Sequence, residues 1–125
     1  MPLENKIVTK LWGFEEWLAN NEQYCGKLLR IRPGYACSIH YHPLKRETFS
    51  VIKGAVILEL WASNDITTFP PNEYALHEDL PHSVEILPGW AHRFSNPFEE
   101  WATIVETSTP HDDLDVVRIE DSKKL

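Results

Sequence analysis

The stretch GYACSIHYHPLKRETFSVIKG carries His40, His42 and Glu47, whose side chains are of types that bind transition metals. Successive side chains of a β-strand point to opposite faces, so the two histidines share a face. Pro43 cannot donate to a strand ladder, which predicts that the strand ends or turns there. If residues 43–46 form a hairpin-like turn, Glu47 on the next strand lies opposite the histidines. Two imidazoles and a carboxylate then converge, a donor set that suits first-row divalent metals and not calcium.

A fourth candidate ligand, His92, lies in a second block, LPGWAHRFSN. Two histidines with one residue between them are weak evidence alone, because strand alternation produces such pairs by chance. The carboxylate that follows and the second histidine block strengthen the interpretation. We therefore predict one metal site formed by His40, His42, Glu47 and His92. The alternative is a metal-free barrel in which these side chains form a polar, hydrogen-bonded cluster.

The two blocks resemble the two sequence motifs of the cupin superfamily. The first motif, G-x5-H-x-H-x4-E-x6-G, is matched by Gly34, His40, His42, Glu47 and Gly54, and the second, P-G-x2-H-x3-N, by Pro88, Gly89, His92 and Asn96. The second motif usually opens with a glycine several residues before its proline, where this chain has Pro81 and His82. The resemblance implies an all-β, single-domain cupin, that is, a double-stranded β-helix or jelly-roll barrel. It also implies that the three histidines and the glutamate hold a divalent transition metal (Mn, Fe, Ni, Co or Zn).

Composition limits the classes of function that need to be considered. A chain of 125 residues with 42% hydrophobic content is expected to form one folded domain. A net charge of −7 argues against nucleic acid and anionic membranes as partners, since both require clustered Lys and Arg. The first residues lack the apolar region of a signal peptide, and no apolar run is long enough to span a membrane. Cys25 and Cys37 have no zinc-type spacing, so we expect reduced thiols in a cytoplasmic protein.

Alternation and turn signals divide the chain into short strands. We predict an N-terminal arm over residues 1–23, a barrel over 24–119 and a tail over 120–125. Residues 11–19 fit either a short amphipathic helix or an edge strand. Outside the two motifs, strands are predicted over residues 24–32, 54–62, 66–69, 83–87, 90–95, 101–106 and 114–119. We interpret residues 70–82, which include the polar run His77, Glu78, Asp79 and His82, as a loop and not as a second metal site. The sequence leaves open whether this loop closes over the barrel mouth.

Lys27 is the one cation on an otherwise apolar strand face, which it shares with Leu29 and Ile31. If this face points into the barrel, burial of the amine lowers its pKa and allows it to act as an acid or a base. Alternatively, Lys27 lies at the barrel mouth and its amine reaches water. The sequence leaves both positions open.

A second resemblance concerns the layout around the motifs. Trp12-Gly13, Lys27, Pro33-Gly34 and the acidic segment HDDLDVVRIED resemble the cupin domain of mannose-6-phosphate isomerase type enzymes and their sugar-nucleotide relatives. This resemblance implies a metal-dependent isomerase or epimerase acting on a sugar or sugar derivative. In such a reaction a base moves a proton between adjacent carbons through an enediolate. Lys27, Glu85 and Glu106 are available as the base, and we retain Lys27 and Glu106 as candidate catalytic residues.

Two other functions agree with the same ligand set. One is a cupin-type dioxygenase that uses Fe, and the other is a sugar-binding cupin without turnover. We expect a small-molecule substrate of the carbohydrate class. We also expect a homodimer, because residues 56–60 are apolar on both faces of their strand and the chain contains 5 Trp.

Overall fold

The computed structural model describes residues 1–80 and 82–125, so Pro81, where the chain departs from the cupin pattern, lies outside the described residues. The described residues form thirteen strands and no helix. The strands are β1 (Lys6–Lys10), β2 (Gly13–Asn20), β3 (Cys25–Ile31), β4 (Tyr35–Ala36), β5 (Ile39–Tyr41), β6 (Glu47–Lys53), β7 (Ala55–Leu60), β8 (Asn72–His77), β9 (Ser83–Ile86), β10 (His92–Asn96), β11 (Ala102–Ser108), β12 (Val117–Glu120) and β13 (Lys123–Lys124).

The strands form two antiparallel sheets. The first has the order β1-β2-β3-β11-β6-β9. The second has the order β12-β5-β10-β4-β13, and β7 pairs with both β10 and β8. Neighbouring strands are often distant in sequence, as in a jelly roll, where strands cross between the ends of the barrel. The predicted all-β barrel is therefore confirmed.

The interior between the sheets is filled by alternate side chains. Along β3 the odd-numbered residues Cys25, Lys27, Leu29 and Ile31 are buried, whereas the even-numbered residues are partly exposed. The same period of two places Phe49 and Val51 of β6 in the core. Apolar side chains from both sheets contribute to one cluster, and it fills one part of the barrel. The remaining part of the interior contains the polar residues described below.

The register of the strands brings distant polar residues together. In the second sheet His92 pairs with His40. In the first sheet Glu106 of β11 lies between Lys27 of β3 and Phe49 of β6. Histidines of one sheet therefore face carboxylates and a lysine of the other across the barrel.

Gly54 illustrates how tightly the strands are connected. It links β6 to β7 with a φ of 74°, a conformation that residues with a Cβ rarely adopt. A Cβ at this position would lie 2.7 Å from the carbonyl oxygen of Trp101. The closing glycine of the first motif is thus required by the turn and by the neighbouring backbone.

Several segments differ from the prediction, and one settles a choice that the sequence left open. Of residues 11–19, residues 13–19 belong to a strand, β2, which pairs with β1 and β3, and residues 11–12 form the turn before it. The predicted loop over residues 70–82 was wrong for residues 72–77, since they form β8 along β7. Residues 66–69 form a turn and not a strand, because the Asp65 carboxylate accepts hydrogen bonds from Thr67 and Thr68.

Two further expectations concern thiols and membranes. Cys25 and Cys37 are buried free thiols, as predicted. Within the described part of the chain, no helix has the length and apolar character needed to cross a membrane.

Candidate metal centre

Three histidines form a compact cluster inside the barrel. His40 lies on β5, His42 follows it, and His92 begins β10. One nitrogen of each ring lies within 4.8 Å of the corresponding nitrogens of the other two. His42 and His92 are buried and His40 is partly buried. The cluster therefore has the size at which three imidazoles can share one ion.

Backbone carbonyls orient all three rings. The Nδ1 atom lies 3.1 Å from the Ser38 carbonyl in His40, and 3.0 Å from the Trp90 carbonyl in His92. In His42 it lies 2.7 Å from the carbonyl of Asp115. Since a carbonyl only accepts, each Nδ1 carries the hydrogen and donates it. Each Nε2 is then left with a free lone pair, the form in which histidine binds metals.

Glu47 completes the group from the opposite sheet. Its Oε1 lies 3.5 Å from Nε2 of His42, and its Oε2 lies 3.4 Å from Nε2 of His92. The Oε2 atom is buried and has no hydrogen-bond partner among the described residues. A buried carboxylate oxygen without a partner costs free energy, and such atoms are rare in folded proteins. A divalent cation bound between this oxygen and the imidazole lone pairs would remove that cost.

Burial controls the protonation of the four side chains. It lowers the pKa of His42 and of His92 to about 4, and that of His40 well below its ordinary value. The imidazoles are therefore neutral at pH 7 and available as ligands. Burial also raises the pKa of Glu47 to about 8, because removal from water disfavours a carboxylate charge, and the negative charge of Glu106 acts in the same direction. The donor set and its environment fit a divalent transition metal.

A residue that the sequence analysis assigned only to a turn, Lys45, lies beside this group. It is buried, and its Nζ atom lies 3.3 Å from Oε1 of Glu47. The same Nζ lies 2.7 Å from Oε2 of Glu106 and 3.0 Å from Nδ1 of His111. Its spacing of two residues from Glu47 was a signal that the two side chains share a face.

The candidate catalytic residues lie in the same interior. Lys27 is only 2% exposed, so its amine does not reach water. Its Nζ lies 3.5 Å from Oε1 of Glu15 and 4.0 Å from the centre of the Trp17 ring. Glu106 is also buried, which raises the pKa of its carboxyl, but the ammonium groups of Lys45 and Lys27 outweigh burial and lower that pKa overall. Glu106 is therefore ionised at neutral pH.

Glu85, the third residue available as a base, lies elsewhere. Its carboxylate is half exposed and accepts a hydrogen bond of 2.9 Å from Arg46 on the outer surface. It does not line the cavity that contains the histidines. The structure therefore leaves Lys27 and Glu106 as the two candidates.

A cavity of about 620 Å³ connects these side chains to the surface. Its lining includes the group that we call the floor, namely the three histidines, Glu47, Lys45, Glu106 and Lys27, and also the aromatic residues Phe49, Phe94 and Trp17. Strand β1 lines the cavity as well. So do residues 111–121, which we call the C-terminal cover, through His111, Asp113, Val116 and Arg118. The volume is within the range of small-molecule sites.

The barrel has the cupin fold. Similar solved structures include the capsular polysaccharide assembling protein CapF from Staphylococcus aureus (TM-score 0.82, 19% identity), and the match covers 95% of this chain and 35% of that one. Oxalate decarboxylase from Bacillus subtilis is also similar (TM-score 0.76, 13% identity, 92% of this chain and 30% of that one). At these identities the likeness establishes the fold alone. The chain spans about a third of the length of these proteins.

The particular family follows from the sequence match. Residues 8–111 match the family described as the polysaccharide biosynthesis C-terminal domain, and the chain belongs to it. The matched range includes both histidine blocks, Glu47 and Glu106.

Proposed function

We propose that this protein is a metal-dependent isomerase or epimerase that acts on a sugar or sugar derivative. The observation that carries the proposal is the unpartnered Oε2 of Glu47, which lies 3.4 Å from Nε2 of His92 beside a cluster of three neutral imidazoles that line a cavity. The polysaccharide biosynthesis family and the likeness to a capsular polysaccharide assembling protein support a carbohydrate substrate. Mn(II) centres in the similar oxalate decarboxylase support a divalent transition metal.

The four ligands would be His40, His42, Glu47 and His92. When bound, the metal would supply a Lewis acid that polarises a substrate carbonyl and its neighbouring hydroxyl. The Nδ1–H bonds to backbone carbonyls keep the imidazole rings in place, so the site needs little rearrangement when it is filled. Glu47 is engaged as a ligand in this arrangement and is a poor free base.

Glu106 is the group that would move the proton. Its carboxylate is ionised at neutral pH and lines the cavity. Lys45 contacts both this carboxylate and the proposed ligand Glu47. It would accept a proton from one substrate carbon and return it to the adjacent carbon. Lys27, opposite Glu106 in the strand register, would donate a hydrogen bond to the substrate oxygen that becomes negative.

The first test is metal content. His42→Ala is expected to lose bound metal while its far-ultraviolet circular dichroism spectrum stays that of the wild type. His77→Ala, an exposed histidine on β8, is the matched control and should keep full metal content. An unchanged metal content in His42→Ala would exclude the proposed ligand set.

The second test is proton exchange. The metal-loaded protein is incubated in D₂O with aldoses, ketoses, sugar phosphates and nucleotide sugars, and deuterium at carbon is followed by NMR. An isomerase or epimerase incorporates deuterium at the carbon that exchanges its proton, and Glu106→Gln should abolish this exchange while the metal remains bound. Turnover that requires Fe and O₂ would show the dioxygenase instead. Ligand binding without exchange would show a sugar-binding cupin.

Two further expectations stay predictions. The cytoplasmic location is one of them. The homodimer is the other, and light scattering of the purified protein tests it.

A further inference from the structure

Lys45 makes three polar contacts and has three N–H groups to supply them. Its Nζ lies 2.7 Å from Oε2 of Glu106, 3.0 Å from Nδ1 of His111 and 3.3 Å from Oε1 of Glu47. An ammonium has three hydrogens and no acceptor capacity. The Nδ1 of His111 accepts, because the Nε2–H of that ring donates to Asp113 at 2.8 Å. Every donor of Lys45 is therefore engaged.

The charges around Lys45 explain why so many polar groups are tolerated in the interior. Lys45 is 3% exposed, Glu47 3% and Glu106 4%. Buried charges are tolerated when they are paired and hydrogen-bonded. When Glu47 is ionised as a metal ligand, a single ammonium lies between two carboxylates. Removal of its charge would then leave the two carboxylates without this cation among their direct contacts.

The contact with Lys45 also divides the two oxygens of Glu47. Oε1 is held by the ammonium, whereas Oε2 has no partner and lies 3.4 Å from Nε2 of His92. A carboxylate held at one oxygen presents the other in a fixed direction. We infer that Lys45 is a positioning residue that anchors Glu47 through Oε1 and so directs Oε2 towards the metal position. This inference rests on the proposed metal site.

The same arrangement links the ligand to the candidate base. Oε2 of Glu106 contacts Nζ of Lys45 and also accepts a hydrogen bond of 2.9 Å from the Ser108 hydroxyl. Lys45 thus sets the orientation of Glu47 and Glu106 at once. Arginine keeps the positive charge at this position. Its N–H donors lie in one plane, however, and cannot reach three acceptors arranged around a single nitrogen as an ammonium does. Lys45→Arg is therefore expected to restore metal affinity only in part.

Cobalt binding tests the inference without any assay of activity. Metal-free wild type and Lys45→Met are titrated with Co²⁺ while the visible absorption spectrum is recorded. Loss of a residue that orients a metal ligand typically lowers affinity roughly 10–100-fold, and we expect that loss together with an altered spectrum. Arg46→Met is the matched control, because Arg46 is the neighbouring cation and pairs with Glu85 on the surface. It should bind Co²⁺ as the wild type does.

A second pair of variants covers the case in which Lys45→Met does not fold. The double variant Lys45→Met/Glu106→Gln removes one charge of each sign and leaves Glu47 without its anchor. Glu106→Gln alone keeps the contact between Lys45 and Glu47. We expect the double variant to bind Co²⁺ at least 10-fold more weakly than Glu106→Gln, as for an orienting residue. Equal affinity and equal spectra in the two variants would overturn the inference.

The outcomes separate this inference from the proposed function. If Lys45→Met binds Co²⁺ with the affinity and the spectrum of the wild type, the positioning role alone is overturned. A wild type that binds metal but exchanges no substrate proton overturns the enzymatic function alone. A wild type that binds no Co²⁺ overturns both.

Discussion

The floor of the cavity and the C-terminal cover form one site in different ways. The floor residues His92 and Glu47 lie on strands that pair on both sides, and both are almost fully buried. The cover, residues 111–121, contains only the short strand β12, and several of its apolar side chains are exposed, with Leu114 at 92%. Packing therefore holds the floor, whereas polar contacts hold the cover. Segments with few buried apolar contacts open locally at a lower free energy than packed core strands.

The polar contacts of the cover reach the metal site directly. The Asp115 carbonyl accepts the Nδ1–H of His42, and the Asp115 carboxylate accepts a hydrogen bond from the backbone of Leu44. At the far end, buried Arg93 donates to the carbonyl of Asp121 at 2.8 Å and pairs with Glu120 at 3.2 Å. Displacement of the cover would thus open the cavity and also remove the carbonyl that orients the proposed ligand His42. The following predictions test this difference between the two regions.

The largest effect is expected on the floor, from Glu47→Gln. The amide is neutral and a much weaker metal ligand, so metal affinity should fall by more than the roughly 100-fold upper range for orienting residues. The measurement is a competition titration with a chelator. Glu85→Gln, on the neighbouring strand but outside the cavity, is the control. Similar affinities in the two variants would show that Glu47 is not a ligand.

The metal-free protein should be most stable near pH 6.5. Burial lowers the pKa of His42 and His92 from 6.5 to about 4, so the unfolded chain binds more protons in this window. Stability is then lost as the pH falls from 6.5 towards 4, by about 3 kcal/mol for each histidine. Glu47 acts in the opposite sense: burial raises its pKa from 4.5 to about 8, so its contribution declines as the pH rises across that window.

Urea unfolding at a series of pH values measures this profile. Glu47→Gln should flatten the decline above pH 6.5 and make the loss of stability between pH 6.5 and 4.5 steeper, because the opposing contribution of Glu47 is removed there too. A decline above pH 6.5 that persists in Glu47→Gln would assign it to another group.

A smaller effect is expected from Arg93→Met, which removes the contacts of Arg93 with Glu120 and Asp121 of the cover. The substitution leaves the Cys37 carbonyl, which lies 2.8 Å from Nε of Arg93, without this donor. An unsatisfied buried acceptor costs about 1–3 kcal/mol. Limited proteolysis should cut the cover faster, and metal affinity should fall with it. Arg118→Met is the control, because Arg118 is exposed and lies 3.8 Å from Asp121. Proteolysis at the wild-type rate would show that the cover is held by other contacts.

The smallest effect is expected from Asp115→Ala. The substitution removes the hydrogen bond to the backbone of Leu44 but keeps the carbonyl that orients His42. We expect a loss of about 1 kcal/mol in urea unfolding and little change in metal affinity. A large loss of metal affinity would mean that the side chain, and not the backbone alone, holds the cover over His42.

Local patterns in the sequence were sufficient for the barrel and for its four central side chains. Strand alternation placed His40 and His42 on one face, and the two motifs related them to Glu47 and His92; the structure brings all four together. Residues 66–69 and 72–77 were assigned wrongly. In the first case the side chain of Asp65 forms a turn, and in the second an apparently aperiodic segment is held by pairing with β7.

The identity and order of the residues determined the class of fold, the metal-binding donor types and the separation of polar from apolar faces, because these depend on periodicity within single strands. Tertiary structure alone decided that Lys45 lies between Glu47 and Glu106, and that Lys27 is shielded from water. It also decided that the carbonyl of Asp115 orients His42. These contacts depend on which distant strands become neighbours, and a backbone carbonyl is the same in every residue, so no local pattern encodes them.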